Sequence, residues 1–336
     1  MDPTRVTRRS AAIALAISLT GGLLAVLVMV LGGAKPAGAA ASPYCTALAP
    51  SGASELLIAR YAAVAAPLPN GQVLIAGGKS GSTFLASAEL FNAASDTFTA
   101  LPASGNTELQ TARAGAVAAP LPNGQVLIAG GYNGSSYPQS ADGYLASAEL
   151  FNPASDTFAA LPASGATELH IARDGAVAAP LPNGRVLIAG GYSYNAYDPD
   201  YSSVLRSAEL FNPANDTFKA LAASGATELR TARESAVAAP LPNGQVLIAG
   251  GDSAQNSALR SAELFNPAND TFKALAASGS TELQTARAGA VAARLPNGQV
   301  LIAGGYNRSG YLQRAELCSS VSRKNASATA WSDNHS

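Results

Sequence analysis

Leu121-Pro122-Asn123-Gly124-Gln125-Val126-Leu127-Ile128-Ala129-Gly130-Gly131 is one of five near-copies of a single phrase, the others ending at Gly78, Gly191, Gly251 and Gly305. Successive copies are 53, 60, 60 and 54 residues apart. A unit of this length predicts repeated architecture, because one unit cannot bury its own apolar surface and must stack on its neighbours. Working outward from the phrase, each unit parses as four short strands. Residues 114–121, rich in alanine, form the first; it ends at Pro122-Asn123-Gly124, where Asn-Gly is expected to supply the positive backbone angles of a two-residue hairpin turn. Residues 125–131 form the second, whose unalternating Val-Leu-Ile core suits a strand covered on both faces. Ser147-Ala148-Glu149-Leu150-Phe151 is the third, Asn152-Pro153-Ala154-Ser155-Asp156 a turn, and Thr157-Phe158-Ala159-Ala160-Leu161 the fourth.

Four antiparallel strands per repeat predict a propeller blade. Pro67, Pro120, Pro180 and Pro240 fall near the end of the first strand, and proline is tolerated only at a sheet edge. The first strand is therefore expected innermost, where blades converge and alanine fits. Frequent Pro and Gly without a 3.6-residue apolar period argue against helical repeats.

Gly130-Gly131 followed by Phe151 and Phe158, two aromatics with six residues between them, closely resembles the kelch repeat, with Phe where that family often carries Tyr and Trp. Phe91/Phe98, Phe211/Phe218 and Phe265/Phe272 repeat the pair, and the resemblance covers about residues 44–318. It implies an all-β, five-bladed kelch-type β-propeller with the first strand innermost. It implies no single activity, since the family holds binding scaffolds, actin-associated proteins and some enzymes.

The fifth unit loses the pattern after Cys318, so its fourth strand is missing. Aligning Arg60 with Arg113 places Tyr44-Cys45-Thr46-Ala47-Leu48 on a fourth strand, so the N-terminus is expected to complete the last blade. Cys45 and Cys318 then take the two positions where Phe faces Phe in the other blades. Their cross-strand distance suits a disulfide, closing a loop worth at most roughly 5 kcal/mol; two unrelated free thiols are the plainer reading. The same composite blade is available to a domain-swapped oligomer, but closure within a monomer is simpler.

Arg5, Arg8 and Arg9 precede an uncharged apolar stretch at residues 11–31, and small residues flank Ala41. Residues 1–41 therefore read as a signal peptide or an N-terminal membrane anchor, residues 42–318 as the propeller and residues 319–336 as a polar disordered tail. The expected location is secreted or at the cell surface, which also favours a disulfide. Charged residues are 13% of the chain and its formal net charge is -1, against a general nucleic-acid binder.

Nine of the eleven tyrosines lie in the loops between second and third strands, among them Tyr132, Tyr137, Tyr144, Tyr192, Tyr194, Tyr197 and Tyr201. Rigid amphipathic rings suit stacking on sugars or gripping peptides; their plainer role is packing the loops together. A glycan or a protein or peptide ligand is the expected partner. Arg60, Arg113, Arg173, Arg233 and Arg287 mark the entrance of each innermost strand. By resemblance to some kelch binders, Arg113, Arg173 and Arg233 imply an anion site, whereas Glu55, Glu108, Glu168, Glu228 and Glu282, five residues before each arginine, point to a structural ion-pair array. No metal or other cofactor is expected: His170 and His335 are the only histidines, too few for a copper radical oxidase. Asp142, Asp174, Asp198, Asp200, Glu234 and Asp252 break the repeat near the loop face and are the candidates for a carbohydrate-active enzyme, the alternative to a non-catalytic binding module. A structural repeat scaffold is the third reading.

Overall fold

The computed structural model describes residues 52–135, 143–194, 203–255, 257–277 and 281–319. The fold is all-β, a five-bladed propeller arrangement. The first blade pairs Val64–Pro67, Gln72–Ala76, Ala88–Asn92 and Thr97–Ala100 in that spatial order, each antiparallel to the next. The second (Val117–Pro120, Val126–Ala129, Ala148–Asn152, Thr157–Ala160), third (Val177–Pro180, Val186–Ala189, Ala208–Asn212, Thr217–Ala220) and fourth (Val237–Pro240, Val246–Ala249, Ala262–Asn266, Thr271–Ala274) repeat it. The fifth has three strands among the described residues: Val291–Arg294, Val300–Ala303 and Ala315–Cys318.

The proline-terminated strand stands at one edge of its sheet and packs on the corresponding strand of the next blade, placing it nearest the axis. The Val-Leu-Ile strand is buried on both faces in the second, third and fourth blades. Alternate residues then face opposite neighbours. Val117, Ala119, Leu127 and Leu150 of the second blade pack on Val186, Ile188, Phe211 and Phe218 of the third; the same set recurs at the first and third junctions, and at the fourth Val300 and Ile302 are joined by the partly buried Cys318 in place of the phenylalanines. The two phenylalanines of a blade lie directly opposite one another, Phe151 on Phe158 and Phe211 on Phe218, with ring centroids 4.8 and 4.9 Å apart.

The Asn-Gly turn differs from the two-residue form read from sequence. Leu121 N–H donates to the Gln125 carbonyl, Gly124 N–H donates to Leu121, and only Gly124 has a positive φ, +86°. This is a three-residue loop closed by a left-handed glycine, in which Pro122 presets the first central angle. Asn123 contributes its side chain instead, accepting from Gln125 N–H at 3.1 Å. In the outer turn Asp96, Asp156, Asp216 and Asp270 all adopt φ near +54°, a conformation that short polar side chains tolerate.

Cys318 pairs in register with Val300 as Phe151 does with Val126, so it occupies the first aromatic position of the fifth blade. It is a free, half-buried thiol, and burial followed by the nearby Glu316 pushes its pKa up. Cys45 and the N-terminal strand expected to complete this blade lie outside the described residues, as do residues 1–41 and the tail beyond Ser319. Among the described residues no helix is long and apolar enough to cross a membrane.

Candidate functional site

The arginines of the ring turn into their blades. Arg113 enters with the linker ahead of the second blade, turns into that blade and is 1% exposed. Its Nη1 donates to the Gly130 and Ser147 carbonyls, its Nη2 to Ser147 Oγ and to Glu149 Oε1 at 2.9 Å, and its Nε to the Thr111 carbonyl. All five donors of the guanidinium are thereby used. Glu149 is equally buried and also accepts the Gln110 and Thr111 backbone N–H groups. Arg60–Glu89, Arg173–Glu209, Arg233–Glu263 and Arg287–Glu316 repeat the pair at 2.7–2.8 Å. Burial lowers the pKa of Arg113, Arg173 and Arg233, and each partner carboxylate opposes that shift.

Two expectations are corrected by this geometry. Arg113, Arg173 and Arg233 are consumed inside their blades and cannot hold an anion in the channel. Their partner is the glutamate of the third strand, not the one five residues earlier; Glu228 instead pairs with Arg206 at 3.2 Å near the surface. Each pair latches the incoming linker onto the blade it enters. His170 belongs to the same construction, its Nδ1 lying 3.0 Å from Glu209.

The loop face carries a different assembly. Phe84, Tyr132, Tyr144 and Tyr192 form a continuous run of rings across the first three blades, with centroid separations of 5.4, 4.9 and 5.6 Å. All four rings are half-buried, whereas Tyr194 is exposed beside them. Two glycines shape the run. A Cβ on Gly134 would lie 2.2 Å from the Phe84 ring, and one on Gly143 would lie 2.2 Å from the Tyr132 ring. Tyr137, Tyr197 and Tyr201 lie outside the described residues, as do Asp142, Asp198 and Asp200.

The run ends at carboxylates. Backbone β-bridges join Asp174 to Tyr192 and Glu234 to Asp252 at the entrances of the third and fourth inner strands. Tyr306 of the fifth blade donates its hydroxyl to Asp252 Oδ2 at 2.7 Å. Burial raises Asp174 from 3.8 to about 6, and burial followed by repulsion from Asp174 and Asp252 raises Glu234 from 4.5 to about 6. The hydrogen bond to Asp252, then burial, holds Tyr306 at about 12. Tyr144 is raised chiefly by burial and then by Asp174. Three carboxylates beside packed aromatics can accept hydrogen bonds from hydroxyls or amines, and two of them are raised well above the usual carboxylate range. Sequence reasoning named Asp174, Glu234 and Asp252 but missed Phe84 and the two glycines. Phe84 falls in the same loop position as the tyrosines, which was a usable signal.

A comparison with protein-family models finds no match for this chain, and one with curated protein sequences finds none either. The reading of the loop face therefore rests on its geometry.

These shifts set a pH dependence. A carboxyl whose folded pKa lies above its unfolded value favours the native state while protonated, so that contribution is complete below about pH 4 and lost as pH rises through about 6. Asp174→Asn, which cannot ionise, should match the wild type in urea unfolding at pH 4 and exceed it by roughly 1–2 kcal/mol at pH 7. An equal difference at both pH values would mean that the Asp174 charge is not penalised by folding.

Proposed function

We propose that the protein is a secreted or cell-surface binding module of the kelch type that takes a glycan on its loop face. One observation carries the reading: the ring run Phe84–Tyr132–Tyr144–Tyr192 ends where the backbone of Tyr192 pairs with Asp174, and Glu234 and Asp252 lie near enough for Glu234 to act electrostatically on Tyr192 and for the two carboxylates to interact. Apolar ring surface for sugar C–H faces beside carboxylates for sugar hydroxyls is a pairing that suits a carbohydrate. It arises where the five repeats differ from one another, so blade architecture alone does not account for it. The buried arginines weaken the case for an acidic peptide, since they offer it no free cation. The kelch resemblance of the Gly-Gly and paired-phenylalanine pattern, together with the targeting character of residues 1–41, supports the class and the location.

The raised pKa values of Asp174 and Glu234 favour one second reading, a carbohydrate-active enzyme in which one carboxyl is held protonated as an acid and another stays ionised. Both readings are tested on a glycan and polysaccharide array beside the double variant Tyr192→Ala/Tyr194→Ala, followed by product analysis on any polysaccharide retained. Retention that the variant loses by tenfold or more, without released oligosaccharide, is the expected result. Release of oligosaccharide that Glu234→Gln abolishes would replace it with the enzyme reading, and no retention of any glycan would end both.

A further inference from the structure

We propose that the fifth blade and the first blade are joined between molecules, so that the chain associates head to tail with a second copy of itself. Four junctions within the chain are built alike. At each, the second glycine of the Gly-Gly pair donates its N–H to the carbonyl of the next blade's latch arginine: Gly78 to Arg113, Gly131 to Arg173, Gly191 to Arg233 and Gly251 to Arg287, at 2.8–2.9 Å. A second series runs around the axis, from Gly115 to Ala62, Gly175 to Gly115, Ser235 to Gly175 and Gly289 to Ser235. Neither series closes among the described residues. Gly305 does not reach Arg60, and Ala62 does not reach Gly289. The space confirms it: a Cβ on Gly77, Gly130, Gly190 or Gly250 would lie 2.4–2.5 Å from the next blade's arginine carbonyl, whereas on Gly304 the nearest atom is Leu312 O at 3.9 Å.

Among the described residues, two apolar faces are left uncovered by this opening. Val291 is 70% exposed and Leu317 56%, where their counterparts Val117 and Leu150 are 7% and 6%. On the first blade Val73, Ile75, Phe91 and Phe98 are half-exposed, where Val126, Ile128, Phe151 and Phe158 are buried. The fifth unit has diverged elsewhere, with Arg294 for proline, Arg314 for serine and Cys318 for phenylalanine, yet Val291, Leu301 and Leu317 keep the residues of the packed junctions.

The occupant follows from continuity with those junctions. Near-identical residues build the same hydrogen-bonded junction four times over, and between the fifth blade and the first blade of the same chain those hydrogen bonds and that burial are missing among the described residues. A second copy can present its first blade to the fifth at the angle the other junctions use, restoring both hydrogen-bond series and covering both faces. Such a contact is heterologous, each copy using one face as donor and the other as acceptor.

The test uses the full chain as its expression host delivers it, with mass measured by light scattering behind size exclusion from about 1 to 200 µM. Wild type should rise from one chain mass to two or more. Val291→Asp/Leu317→Asp spoils the fifth-blade face and Val73→Asp/Ile75→Asp the first-blade face. Each should stay at one chain mass, while their equimolar mixture should form a species of two chain masses, because one intact face remains on each. A wild type of one chain mass throughout, or a mixture that stays at one chain mass, would overturn the proposal in favour of closure within the chain. Persistent assembly in both variants would move the contact to another surface and overturn it as well. Hydrogen exchange of the unmutated chain decides the matter should a variant misfold. Protection of the Gly305 and Ala62 amides that increases tenfold or more with concentration is expected; protection independent of concentration means that the ring shuts on itself.

Discussion

Glu209→Ala should destabilise the protein by about 3–5 kcal/mol in urea unfolding, more than removal of any surface charge. Its carboxylate sits 2.8 Å from the Arg173 guanidinium, accepts the His170 and Ile171 N–H groups, and is 1% exposed. Removing it strands a buried cation and two backbone donors together, and a buried pair broken on one side costs on this order. Glu228→Ala is the matched control. Glu228 is the residue five before Arg233, but its partner Arg206 is exposed, and such pairs are worth about 0–1 kcal/mol. Equal losses from the two substitutions would show that the third-strand glutamate is not the latch.

Gly190→Ala should cost about 3 kcal/mol or more, and Gly304→Ala markedly less in the dilute chain. Both glycines have φ of +68°, so the penalty of roughly 1–2 kcal/mol for a left-handed non-glycine residue is common to both. Only Gly190 adds a collision, its Cβ falling 2.4 Å from the Arg233 carbonyl across the blade junction. Relieving it requires two packed blades to separate, and overpacking of this kind adds about 1–3 kcal/mol. Thermal unfolding of the two variants at low micromolar concentration measures the difference. Equal costs would mean that Gly304 has a blade against it even in the monomer.

Much of the architecture was legible because the repeats fix their own alignment. Five copies of one phrase, an edge proline and paired phenylalanines located three strands of every blade and the fourth strand of four. The latch was misread because neighbourhood in sequence was taken for neighbourhood in space. Glu168 precedes Arg173 by five residues, but the linker between them is not helical over that span, and the observed partner Glu209 is 36 residues away on the third strand. A signal existed: a glutamate between Ala and Leu, within an apolar strand, in every copy requires a buried cation, and arginine is the only cation repeated as often. The loop-face site was half legible. Tyrosine enrichment and the asymmetric carboxylates marked the region, whereas the glycines that admit the Phe84 and Tyr132 rings are recognisable only once the loops are placed. The opening between the fifth and first blades was not legible, since Val291, Leu301 and Leu317 of the fifth unit are the residues that pack at the other junctions.

Every latch draws its atoms from one linker and the blade that follows, with Gln110, Thr111 and Arg113 bound to Gly130, Ser147 and Glu149. The inherited block is therefore linker plus blade, with its frame set just ahead of each Leu-x-x-Ala-Arg segment. Duplication or deletion of one block in that frame leaves every other latch whole, so such a chain can lengthen or shorten by entire blades in a single genetic event. A break between Gly130 and Gly131 would instead part Gly131 from the carbonyl that Arg113 grips.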